Sequence, residues 1–185
     1  HTHPRLVAAI QDMGKFARGH TFLNDPNLMF GYVAPSSVVF IPREFQLSGK
    51  TFDERFHFVG PSLSSWQVAQ EWSPRSHAPV LLISLGTVFN DRPEFYRTCI
   101  EAFGDSAWQV VMAVGELDPD SLGPLPANFE VHARAPQVAV LRHAEVFLSH
   151  AGMNSVMESL YHGVPFVAVP QIPEQRVIAR RAEEM

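Results

Sequence analysis

Phe147-Leu148-Ser149-His150-Ala151-Gly152-Met153-Asn154-Ser155-Val156-Met157-Glu158 joins a strand end, a small-residue turn and a helix start without a gap. A junction of this kind belongs to a β/α unit, and it makes an anion site. Gly152 lets another group approach the backbone closely, and the free N–H groups of the first helical turn point outward. Asn154 and Ser155 add side-chain donors there, or else serve only to cap the helix. His150, at the strand's end, either donates to a further oxygen of a bound phosphate or is a buried histidine satisfied within the protein. Glu158 lies about two turns along the helix, where a carboxylate can accept from the hydroxyls of a ribose diol.

Outward from this junction the pattern repeats. Val80-Leu81-Leu82-Ile83-Ser84-Leu85 is a continuous apolar run, as expected of a central parallel strand buried on both faces. Pro93 stands at a first helical position, and the helix runs to about Phe103. Strands follow over 108–114, 129–131, 145–149 and 165–169, with helices over 138–142 and 153–162 between them. That alternation predicts an α/β, Rossmann-like doubly wound parallel sheet, whose ligands bind beyond the carboxyl ends of the strands. Residues 176–185 read as helix without a stop signal, and the chain starts on His1, so it is expected to be a fragment.

Before this domain, residues 1–62 look like the end of another one. A helix is expected from Leu6-Val7-Ala8-Ala9-Ile10, followed by short β-type runs at Ser37-Val38-Val39-Phe40-Ile41 and Phe56-His57-Phe58-Val59. Residues 63–78 carry prolines and serines without sustained periodicity and are expected to be an interdomain linker, leaving 79–185 as the β/α domain.

Composition narrows the function classes. With 46% hydrophobic residues in 185, a full core is available, and a formal net charge of −5 gives no support to nucleic-acid binding. No apolar run reaches the length of a membrane span. The single cysteine, Cys99, reads as a reduced, buried thiol on a helix, which fits a cytoplasmic location. Among the nine histidines, His132, His143, His150 and His162 have no metal-ligand spacing. Ser48-Gly49-Lys50-Thr51 ends like a P-loop, but Glu44 stands where the earlier glycine is required, and no Gly-x-Gly-x-x-Gly run occurs.

The stretch His150-Ala151-Gly152-Met153-Asn154-Ser155, followed by Glu158, Gly163-Val164-Pro165 and Pro170-Gln171-Ile172-Pro173-Glu174-Gln175, resembles the nucleotide-sugar signature of GT-B glycosyltransferases. Ser84-Leu85-Gly86-Thr87-Val88-Phe89 resembles that family's first donor-domain loop, and Ala135-Pro136-Gln137 with Leu141 its uracil-binding segment. Together with Phe45, Phe52-Asp53-Glu54-Arg55-Phe56 and Phe58-Val59-Gly60-Pro61, the pattern is most similar to bacterial macrolide and flavonoid UDP-glycosyltransferases.

The resemblance implies a GT-B fold, with 79–185 as the donor domain, incomplete at its end, and 1–62 as a remnant of the acceptor domain. It implies that His150 and the Gly152 to Ser155 turn, Asn154 included, hold the diphosphate, Glu158 the ribose and Gln137 the uracil edge. Gly86 and Thr87 would face the phosphates from the opposite loop, and Glu174 and Gln175 would grip the donor sugar. Where many relatives place Trp before the Pro-Gln pair, this chain has His132-Ala133-Arg134-Ala135, so Arg134 either stacks through its guanidinium plane or is a solvated arginine. The implied activity is inverting transfer of a hexose from a UDP-sugar or TDP-sugar to a hydroxyl of a small hydrophobic acceptor. Neither metal nor cofactor is implied. The catalytic base is expected on the missing N-terminal domain, since His1, His3 and His20 stand in no motif for it. A nucleotide-sugar binding subunit, inactive without a separate acceptor domain, is the alternative, and a sugar-nucleotide epimerase a further one.

Overall fold

The structure is a computed structural model and describes residues 34–185. The helix expected from Leu6 lies outside the described residues. Residues 39–51 and 58–185 form one compact unit, while described residues 34–38 and 52–57 belong to another. Two short strands, β1 (Ser37–Val39) and β2 (Phe56–Phe58), occur where the β-type runs predicted them.

The apolar run becomes β3 (Val80–Ser84), at the centre of a five-stranded sheet whose ladders are all parallel. Its neighbours are β4 (Gln109–Ala113) on one side and β6 (Ala144–Ser149) on the other. β5 (Phe129–His132) and β7 (Phe166–Ala168) form the edges, giving the order β5-β4-β3-β6-β7. The predicted strands are all present, with ends shifted by a residue or two. The chain runs outward from β3 through β4 to β5 and then returns to the far side of β3. That reversal opens a crevice between the carboxyl ends of β3 and β6, the usual ligand position in such sheets.

Both faces of β3 are buried, as a central parallel strand requires. Leu81 and Ile83 face Tyr96 and Cys99 of helix α2 (Pro93–Phe103), while Val80 and Leu82 pack with Val140 and Leu141 of α3 (Gln137–Leu141). Pro93 is at the start of α2. Burial pushes the Cys99 thiol up to about 11, so it stays protonated and inert at neutral pH. A third cluster joins α4 (Met153–His162) and α5 (Pro173–Glu183) to Ile41 and Phe45 through Val156, Met157 and Ile178. Arg181 reinforces this packing by donating to the Phe45 carbonyl at 3.0 Å.

Residues 63–78 are more structured than their composition indicated. Ser65–Ala69 form a helix, α1, whose capping box joins Ser64 and Gln67. Five residues are too few to show a 3.6-residue period, which is why no periodicity was visible. The segment is also fastened to the sheet. The Arg142 guanidinium donates to the Val68 carbonyl at 2.6 Å, the Trp72 indole donates to Glu130 at 3.1 Å, and Arg75 pairs with Glu130 at 3.2 Å.

Candidate functional site

β3 and β6 end level with each other, because Ser84 and Ser149 are register partners. Each serine hydroxyl then accepts from the N–H two residues on, Gly86 at 3.2 Å and Ala151 at 3.1 Å. Both loops are thus bent over the carboxyl edge of the sheet by the same local device. The first is steadied further by Asn90, whose side-chain amide donates to the Gly86 carbonyl at 2.8 Å. In the second, Ala151 has φ 61°, a left-handed conformation costing a residue with a Cβ roughly 1–2 kcal/mol. Strain of this kind is retained where the surrounding structure enforces it, and here Ala151 is fully buried.

The turn brings the His150 imidazole between two glycines. A Cβ on Gly86, whose φ is +80°, would stand 2.6 Å from ring atoms Cε1 and Nε2, and a Cβ on Gly152 would overlap Nε2 as well. The group that approaches the Gly152 backbone is therefore the histidine ring itself. Burial pushes the His150 imidazole below its ordinary value, with the Ser84 carbonyl opposing that shift, so the ring is neutral at pH 7. Nδ1 is buried with no partner in hydrogen-bonding geometry, and the residue lines the pocket described below. Helix α4 starts directly after, capped by Gly152 with no side-chain hydrogen bond. Asn154 and Ser155 are therefore not cap residues, and the N–H groups of the first turn stay free for an anion.

One turn and a half into α4, Glu158 is 7% exposed. Its carboxylate accepts from Gln137 Nε2 at 2.6 Å and from Gln67 Nε2 at 3.1 Å. Burial raises the Glu158 carboxyl above its ordinary value, and the two amide donors partly offset this. Gln137 also donates to Ser155 Oγ at 3.3 Å. Three elements, α1, α3 and α4, thus meet on one carboxylate.

These groups line a single open pocket of about 820 Å³ at the crevice. It takes in Gly86, Thr87, Arg134, Gln137, His150, Gly152, Asn154, Ser155 and Glu158. Glu174 and Gln175 stand outside that lining. Glu174 is exposed in the first turn of α5, and the Gln175 amide oxygen accepts from the N–H groups of Gln171 at 2.7 Å and Ile172 at 3.3 Å, capping that helix. The motif reading had not singled out Trp66, Gln67 and Gln70, which also line the pocket. The signal for them was available: Ser64-Ser65-Trp66-Gln67 has the spacing of a capping box and announces a helix start. Among the described residues no three His, Cys, Asp or Glu side chains gather as a metal site, and no helix is long and apolar enough to cross a membrane.

The model of the family described as UDP-glucoronosyl and UDP-glucosyl transferase matches residues 64–185. The NDP-glycosyltransferase YjiC of Bacillus licheniformis is 56% identical over 82% of this chain and 39% of its own length. The demethyllactenocin mycarosyltransferase of Streptomyces fradiae is 38% identical over 98% of this chain and 40% of its length. The chain thus spans about 40% of the curated relatives it matches. Among solved structures, CalG4, the calicheamicin glycosyltransferase, superposes with a TM-score of 0.74 at 42% identity, covering 99% of this chain and 47% of that one. The solved relatives are GT-B glycosyltransferases, the fold that the motifs implied.

Proposed function

The chain belongs to the UDP-glucoronosyl and UDP-glucosyl transferase family, and from that premise we propose that its crevice is the donor site of an inverting glycosyltransferase. The enzyme takes a hexose from a UDP-sugar or TDP-sugar and delivers it to a hydroxyl of a small hydrophobic acceptor such as a macrolide or flavonoid. The observation that carries this reading is the His150 ring, seated between Gly86 and Gly152 at the start of α4 with its buried Nδ1 unpaired. A ring so constrained lines a pocket where backbone N–H groups already favour an anion.

In this reading the diphosphate lies across the α4 N-terminus, with His150, Asn154 and Ser155 donating from one loop and Gly86 and Thr87 from the other. The ribose hydroxyls replace Gln137 as donors to Glu158, and the displaced Gln137 amide turns to the edge of the base. Glu174 and Gln175 reach for the sugar from the first turn of α5, Gln175 by giving up its present cap. When the glycosyl bond breaks, negative charge accumulates on the diphosphate while the sugar becomes oxocarbenium-like. Donors already aimed at the leaving group lower that barrier without reorganising, and one such donor is worth roughly 3 to 4 kcal/mol in other enzymes. The acceptor's general base is supplied from outside residues 79–185.

Titration with UDP tests the site. UDP binds the parent, and His150→Ala weakens both UDP and pyrophosphate by roughly 10- to 100-fold, the usual effect of removing one donor from a charged group. Unchanged UDP affinity in a folded His150→Ala protein contradicts the assignment. Because the leaving group is served by N–H donors, transfer by the full-length enzyme persists in EDTA; loss of activity restored by magnesium would require a different mechanism.

A further inference from the structure

α1 forms a wall of the pocket that no motif accounts for. Trp66, Gln67 and the C-cap residue Gln70 all line the cavity. The helix is held firmly. The Gln67 amide oxygen accepts from the Ser64 N–H at 3.0 Å and its hydroxyl at 2.9 Å, while its amide nitrogen donates to the buried Glu158 carboxylate at 3.1 Å. One position further along α1 from Gln67, Val68 is tied through its carbonyl to Arg142. Trp66 is thereby fixed next to the residue that contacts Glu158, yet its own side is left open, at 70% exposed. Among the described lining residues it is the only Phe, Tyr or Trp. The β5 end of the pocket contributes Ala133, Arg134 and Ala135, two small surfaces and a guanidinium but no ring.

A pyrimidine base presents two flat faces that gain most from an aromatic partner. With the ribose fixed on Glu158, the base must lie close to that carboxylate, and the ring available there is the indole beside Gln67. We propose that Trp66 is the stacking platform for the pyrimidine of the bound nucleoside diphosphate, and so a residue that sets affinity for the base. This inference rests on the reading of the crevice as a nucleotide site. It gives the exposed indole a ligand of definite chemistry and makes α1 part of the binding machinery.

UDP and inorganic pyrophosphate, titrated calorimetrically into the parent, Trp66→Ala and Trp66→Phe forms of the full chain, separate the possibilities. Trp66 is exposed, so neither substitution removes core packing. Trp66→Ala lowers UDP affinity about tenfold and leaves pyrophosphate unchanged, while Trp66→Phe recovers most of the loss. UDP affinity unaltered in Trp66→Ala overturns the proposal, as does an equal loss for both ligands, which would make the indole a support for α1 only. A folded parent that fails to bind UDP at all removes the nucleotide reading itself, and the stacking proposal with it.

Discussion

Under the β3 and β6 loops, the pocket is made of backbone and of one ring wedged between two glycines; under α1, it is made of amide and carboxylate side chains drawn from three separate elements. At the first end, the His150 ring occupies the space that a Cβ on Gly86 or Gly152 would need. At the second, Gln67 and Gln137 occupy Glu158, the latter with a bond that a ligand's hydroxyls can exchange. On the proposed reading, a rigid receptor built from peptide N–H groups suits the charge that every nucleotide sugar carries, whichever base or sugar comes with it. Base and ribose need hydrogen-bond and stacking partners of particular shape, and these come from side chains.

The largest effect is expected where the rigid end is forced open. Gly86→Ala must place a Cβ at φ +80° and against the His150 ring, and it should cost about 2 kcal/mol or more of stability together with most of the UDP affinity. Urea unfolding and calorimetry check both. A stable Gly86→Ala protein with normal UDP binding would show that the histidine can move, and the contrast between the two ends would collapse. A smaller and selective effect is expected at the other end. Glu158→Ala should weaken UDP by roughly tenfold and spare pyrophosphate, because a carboxylate accepting from a ribose diol contributes nothing to a bare diphosphate. Equal losses would mean that the side chain acts through α4.

The smallest effect concerns pH. Burial holds the Glu158 carboxyl above its ordinary 4.5. The folded protein therefore binds this proton more tightly than the unfolded chain, and stability contributed by the protonated form is lost as pH rises from 4.5 through the raised value. Thermal unfolding of the ligand-free protein between about pH 4 and 7 should show this decline, and Glu158→Gln should flatten it. An identical pH profile for the two proteins would indicate that the amide donors fully compensate the burial.

The two ends were also unequally legible in the sequence. The run at Val80 to Leu85 and the strand, turn and helix at residues 147–158 carry their own periodicity and punctuation, so the sheet and the turn from β6 into α4 could be placed from them. His150 could not be placed to the same degree. That its ring fills the space above Gly86 depends on β3 and β6 being neighbours in register, and that pairing joins residues far apart in the chain. The α1 wall was missed for the opposite reason. Its signal is local, but it occupies five residues inside a segment whose prolines and serines read as connection. Glu174 and Gln175 were legible as a motif, yet the present cap of α5 keeps Gln175 occupied.

The return of the chain to the far side of β3 also bears on the order in which the molecule is made. Gly86 and His150 are separated by roughly sixty residues, and contacts of such long range close late because the intervening loop entropy must be overcome first. β3, β4 and β5 can pair as they emerge, but the receptor for the diphosphate has only one lip until β6 slots in. On the proposed reading, a nucleotide would therefore recognise the completed sheet and nothing earlier. Such a ligand would hold finished molecules against unfolding without hastening their formation, a seal set after assembly and not a template for it.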